Sequence, residues 1–148
     1  MTDPAFVHEM DLPTTPERLW RALTDGRVTR RYWFDRRIES SWSPGAPVRF
    51  HDGDADTVTD TGVVLTYDPP RELSYTFRHE LAEGAADQPF TRVTFTLTPR
   101  PGDRVRLRLV HDRLSGPEEV EGWRKGWTPI LDNLREFVAG DARATTTG

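Results

Sequence analysis

The chain has no cysteine, which excludes disulfides, thiolate metal sites and a cysteine nucleophile and leaves no sign of an oxidising compartment. Long apolar runs are missing too. No stretch approaches the ~20 residues that cross a bilayer, and Met1-Thr2-Asp3-Pro4 is not a basic region leading into an apolar one, so a cytoplasmic protein with no membrane partner is expected. Lysine occurs once, as Lys125, against 19 arginines. The formal net charge is −4, which argues against a general nucleic-acid partner, for which a concentrated basic face would be expected. GxSxG, P-loop, GxGxxG and HExxH patterns are all absent, so nucleophilic hydrolysis, phosphoryl transfer and nicotinamide binding lack their usual support and no cofactor is expected. The four histidines lie on separate segments and suggest no metal site. Asp52, Asp54 and Asp56 resemble a calcium loop only superficially. Thr57 stands where the loop needs glycine and Val63 where it needs a bidentate glutamate, so the run is a solvated turn.

What is present fits one domain. A chain of 148 residues can bury roughly 70% of its unfolded surface without a staple, and five tryptophans need a core, an interface or a cavity wall to cover them. Residues 1–140 are expected to form that domain, and 141–148, small and polar, a disordered tail.

The order of elements follows from periodicity. Ala5 to Leu12 alternates Phe6, His8, Met10 and Leu12 against Val7, Glu9 and Asp11, a strand that Pro13 ends. Thr15 is a helix cap and Pro16 a first helical residue, and Leu19, Trp20 and Leu23 share one face before Asp25-Gly26. Arg27 to Phe34 suggests a second short helix. From Arg36 the period becomes two, giving strands over Arg37 to Trp42, Pro47 to His51, Thr57 to Tyr67, Glu72 to Glu80, Thr91 to Thr98 and a last one carrying Val105, Leu107, Leu109 and His111 inward. In Asp68 to Phe77, two prolines force a reversal, and Leu73, Tyr75 and Phe77 then alternate with Ser74 and Thr76, with His79 continuing the covered row. Pro117 opens the longest helix, whose stripe runs through Val120, Trp123, Trp127, Ile130, Leu131, Leu134, Phe137 and Val138. Gly126 and Pro129 weaken its middle. The fold class is therefore α+β: a curved antiparallel sheet of about seven strands, two short helices after strand one, and a long C-terminal helix packed across the sheet, a helix grip.

Several stretches carry a family resemblance: Pro16 to Asp25, Trp42-Ser43-Pro44-Gly45 with Phe50, Asp68 to Phe77, Val93 to Pro99, Leu107 to His111, and Gly122-Trp123. Together, in this order, they resemble the SRPBCC superfamily of START-related and birch-pollen-allergen-like proteins. Within it they are similar to the family named for the activator of heat-shock protein 90 ATPase, in its C-terminal-domain form. The resemblance implies the helix-grip fold and mostly single-domain bacterial members, many without an assigned activity. It also implies that Trp33 and Trp42 rim a cavity entrance. Eukaryotic co-chaperones of the family carry a separate N-terminal domain that contributes to chaperone binding, for which this chain has no room, so a chaperone partner is not expected.

The site expectation centres on the space between sheet and long helix. A small apolar or aromatic ligand is expected there, with Tyr75, Phe77, His79, Phe95, Leu97, Leu107, Leu109, His111, Trp123 and Trp127 as the cavity residues. No catalytic residue is assigned. His111 and Tyr75 are the candidates, because an imidazole and a phenol hydroxyl could polarise a carbonyl in a cyclase or dehydratase reaction. The plainer alternative is a satisfied wall histidine and a tryptophan stripe that is simply core. A third reading is an interaction protein of the chaperone-activator type. A homodimer is compatible with all three.

Overall fold

The computed structural model describes residues 4–81 and 83–146, with side chains described as far as residue 140. Strand β1 (Phe6–Leu12) is followed by helices α1 (Pro16–Thr24) and α2 (Gly26–Tyr32). Then come β2 (Arg36–Ser40), β3 (Pro47–Asp52), β4 (Val58–Asp68), β5 (Glu72–His79), β6 (Thr91–Arg100), β7 (Arg104–Asp112) and helix α3 (Pro117–Thr146). The Thr15 hydroxyl accepts the Arg18 amide at the start of α1. Asp25 ends that helix and caps the next, accepting the Arg27 amide at 2.9 Å. The two short helices therefore meet at one residue.

All seven strands form a single antiparallel sheet in the order β1-β7-β6-β5-β4-β3-β2. The sheet is curved, and α3 lies across its inner face. β1, first in sequence, closes one edge by pairing with β7, so that Phe6 stands opposite His111 and Leu12 opposite Val105. The connection α1–α2 carries the chain to the far edge. Between β4 and β5 the reversal at Pro69-Pro70 is closed by the Arg71 amide donating to the Asp68 carbonyl at 2.8 Å.

The inward rows behave as their period demands. Tyr75, Leu73, Val93, Phe95, Leu107 and Leu109 are all buried beneath α3 and the short helices. The opposite row of β5 does not meet water, however, because Ser74 and Thr76 are buried as well. β5 is the middle strand of the sheet. The Ser74 hydroxyl bonds that of Thr94 at 3.1 Å, and the Thr76 hydroxyl accepts the Val63 amide at 2.8 Å. Elsewhere the outer face is held by arginines set against acids on neighbouring strands: Arg106 with Asp11 at 2.9 Å, Arg108 with Glu9 at 2.7 Å and Arg92 with Asp112 at 2.8 Å. Exposed pairs of this kind contribute little stability and chiefly favour one register.

The stripe on α3 faces the sheet as its spacing predicts, with Trp127, Ile130, Leu131, Leu134 and Val138 buried. Pro129 lies inside the helix. Helical backbone continues through Thr146, into the expected tail, since Ala142, Arg143 and Ala144 extend an existing helix at little cost. Residues 147 and 148 lie outside the described residues.

One position of the β4–β5 pair admits no side chain. A Cβ built on Gly62 would lie 1.7 Å from the Thr76 carbonyl oxygen, a backbone atom that cannot turn aside. Gly62→Ala is expected to destabilise the fold by ~3 kcal/mol, the upper range for overpacking, read as a lower urea midpoint. A midpoint equal to wild type would show that the two strands can separate there at no cost.

Candidate functional site

The ends of β4, β5 and β7 lie under the first half of α3, and their side chains set the polarity of the interior. His111, inward on β7, is fully buried. The Trp127 indole N–H can only donate, and it donates to His111 Nδ1 at 2.9 Å. Nδ1 must then be the bare nitrogen and Nε2 must carry the hydrogen. Nε2 is 2.7 Å from the Thr91 hydroxyl, which in turn donates to the Phe77 carbonyl at 2.9 Å. Every lone pair and proton of the ring is committed in one directed chain from α3 to β5. Burial pushes its pKa down to about 3, so the ring is neutral. It is a satisfied wall histidine with nothing to offer a ligand.

His79 has the opposite fate. It ends the same inward row of β5, and cross-strand pairing puts it directly opposite Asp60 on β4. Its Nδ1 bonds the Asp60 carboxylate, which as an acceptor requires the hydrogen on Nδ1. The other carboxylate oxygen accepts the Thr59 hydroxyl at 2.8 Å. Asp60 is buried, whereas the His79 side chain is 57% exposed. Its ring stacks on Trp123 at 4.9 Å and meets the edge of Phe77 at 5.4 Å. Nε2 has no bond to any described residue and is left as an acceptor.

Beside this pair opens a cavity of about 530 Å³. Its walls are mostly rings and aliphatic groups: Trp33, Phe34, Phe77, Trp123, Trp127, Ile130 and Leu81. The polar contributions come from Arg36, Thr59, Asp60, His79 and Glu119. Gly122 and Gly126, one turn apart on α3, complete the wall, and a Cβ on either would meet nothing within 4 Å. Phe34 and Leu81 are 57% and 62% exposed at the opening.

Of the residues expected to face a ligand, Phe77, His79, Trp123, Trp127 and Trp33 are brought together on the cavity wall. Tyr75, Phe95, Leu97, Leu107 and Leu109 are buried core and are not among the residues that line the cavity. Tyr75 is fully buried, its hydroxyl has no partner among the described residues, and burial raises its pKa well above the usual phenol value. Trp42 does not rim the opening. It stacks on Tyr67 at 5.9 Å, which also packs on Trp20, because a left-handed turn at Trp42 carries it toward the other end of β4. The periodicity did not single out Asp60, yet its signal is present: Asp60, Gly62 and Val64 share one parity and all are buried, so a carboxylate stands in an inward row. Gly122 and Gly126 were legible only as helix weaknesses. Among the described residues no group of three or more metal-ligating side chains converges, and no helix is long and apolar enough to cross a membrane.

A seven-stranded antiparallel sheet gripping one long helix, with an open space between them, defines a helix-grip protein of the SRPBCC type. The chain belongs to the family described as activator of Hsp90 ATPase homolog 1-like protein, which matches residues 13–139. No curated protein matches it. Among solved structures it is similar to protein MLL2253 from Mesorhizobium loti, with 26% identity, TM-score 0.73 and coverage of 90% of this chain and 95% of that one. PFC0360w, an HSP90 activator from Plasmodium falciparum, is 17% identical with TM-score 0.74 over 91% of this chain and 96% of that one. CalU16 from Micromonospora echinospora is 20% identical with TM-score 0.71 over 95% and 79%. The last two likenesses concern the fold.

The locked histidine makes stability depend on pH. His111 binds a proton near the ordinary ~6.5 when unfolded but only at about 3 when folded, so between these values the unfolded chain holds the extra proton and stability rises with pH. The contribution is complete above pH ~6.5 and is lost as pH falls toward 3. Between pH ~5 and ~6.5 the slope should approach ~1.4 kcal/mol per unit near the lower end, above the range where carboxylates titrate. Urea titrations of wild type and His111→Gln should differ by this slope; parallel pH dependences would show that the buried ring is not neutral.

Proposed function

We propose that this protein binds a small apolar or aromatic molecule between its sheet and α3, in the cavity walled by Trp33, Phe77, Trp123 and Trp127. The volume of about 530 Å³ falls within the ~300–1,000 Å³ typical of small-molecule sites, as does an apolar lining with a few convergent polar groups. The observation that carries the reading is that Trp33, Phe77, Trp123 and Trp127 stand around a space of this size. Gly122 and Gly126, exposed on α3, line the same space; each costs a helix about 1 kcal/mol relative to alanine, and no packing neighbour requires either one. The exposed Phe34 and Leu81 at the opening extend the apolar surface outward and suit an entry path.

Cyclisation or dehydration through His111 and Tyr75 finds no support in the geometry. The one ring is fully bonded, and the other lies outside the cavity. Any proton chemistry falls to His79.

The test is a pair of measurements on Gly126→Leu. Wild type should show saturable quenching of tryptophan fluorescence when titrated with 2-methoxynaphthalene, and the variant should bind at least about tenfold more weakly while gaining up to ~1 kcal/mol in urea stability. Absence of saturable binding of both 2-methoxynaphthalene and 2-naphthol to wild type, or equal affinity in wild type and variant, would sink the proposal.

A further inference from the structure

We propose that His79 is the proton acceptor of this cavity and Asp60 its positioning residue, which makes the occupant a flat apolar ring system bearing an ionisable hydroxyl, a phenol or an enol. The inference rests on the cavity reading above and names the chemistry of its ligand.

Three independent features of the geometry agree. The Asp60 carboxylate takes the Nδ1 hydrogen, so the tautomer is fixed with Nε2 bare. His79 lines the cavity, and no described residue bonds that nitrogen. The ring is held in plane by stacking on Trp123 at 4.9 Å with an interplanar angle of 25°, and a ligand ring in the cavity would lie among Trp33, Phe77 and Trp127. A neutral imidazole fixed in this way can accept a hydrogen bond but cannot donate one into the cavity. A ligand with only acceptors, a ketone or an ether, finds no partner at that nitrogen.

The proton balance is simple. The ligand O–H bond breaks, its electron pair stays on oxygen, and the hydrogen bonds to Nε2. The result is an imidazolium between the Asp60 carboxylate and the new oxyanion. The other charged groups facing the site are Arg36 from β2 and Glu119 from α3. Arg36 pairs with Asp52 at 3.2 Å, and Glu119 is bonded to the Ser115 amide and hydroxyl at 3.3 Å. His111 lies behind Trp123, with ring centroids 4.2 Å apart, and stays neutral. Asp60 is thus the buried carboxylate bonded to the ring that receives the proton, and Trp123 stacks on the same ring.

The experiment compares 2-naphthol with 2-methoxynaphthalene, and adds 4-nitrophenol at a pH below its own pKa, where absorbance distinguishes phenol from phenolate. Wild type should prefer the naphthol about tenfold or more, the size of one hydrogen bond to an otherwise unpaired acceptor. It should also shift bound nitrophenol to the phenolate band. His79→Gln should bring the naphthol-to-ether ratio to about one and abolish the shift. Asp60→Asn keeps an oxygen for the Nδ1 hydrogen but no charge, so the preference for the hydroxyl should survive while the phenolate band falls at least about tenfold. If naphthol and its methyl ether bind wild type alike, or if His79→Gln keeps the phenolate band, the inference is overturned and the cavity reading stands. If neither naphthalene binds wild type, the cavity reading fails and carries this one with it.

Discussion

The hydrogen bond from the Trp127 indole to His111 is the constraint on which the rest of the interior depends. It ties the long helix to β7, beside the edge strand, and it continues through Thr91 to the Phe77 carbonyl on the middle strand β5. Removing the donor would leave a buried nitrogen unsatisfied, at a cost of ~1–3 kcal/mol, so α3 is fixed in rotation and height at this point. Beyond it toward the C-terminus, Ile130, Leu131, Leu134 and Val138 pack down, Asn133 reaches the Tyr32 carbonyl at 3.3 Å and Phe137 meets the Tyr32 ring. Before it, Trp123 packs over His111 and His79 while Gly122 and Gly126 leave the helix bare. One half of α3 is core, and the other half is the wall of a cavity.

This division explains the unequal roles of two histidines that look alike in sequence. Both end inward rows. His111 is covered by Trp123 and Trp127, and desolvation holds it neutral and fully bonded. His79, two residues past Phe77 where the sheet runs out from under the helix, keeps one face on Trp123 and one nitrogen toward solvent-accessible space. Asp60 is the group that turns exposure into directed chemistry, because a buried carboxylate fixes which nitrogen is bare. The family to which the chain belongs accounts for the grip of sheet and helix, and this cross-strand pair of carboxylate and imidazole lies on the cavity wall.

Much of the fold was legible because its signals are local. Thr15 and Pro16 announce the first short helix and the spacing of Val28 and Tyr32 the second, the parity of Leu73, Tyr75 and Phe77 sets the inner face of β5, and the stripe from Val120 to Val138 faces inward as written. The burial of Ser74 and Thr76 was not legible, since a polar residue of a central strand reads like one of an edge strand until its neighbours are placed. At the site, the tryptophans and His79 were legible by face. Trp42 was misplaced because a left-handed turn redirects it, and His111 attracted the catalytic reading because a buried, satisfied histidine and a poised one share the same letter and the same parity. Tyr75, Phe95, Leu97, Leu107 and Leu109 were legible as inward residues, but not that they would be core outside the cavity lining.

The sequence by itself determined which residues form strands and helices and which side of each faces inward, because periods of two and 3.6 are properties of the backbone that side-chain polarity must match. It also determined that the interior would be rich in rings. Only the tertiary structure decided that Asp60 stands across from His79, that Trp127 silences His111, and that Gly122 and Gly126 line the cavity. Those are facts of register and helix placement, set by contacts between segments far apart in the chain, and no period along one segment contains them.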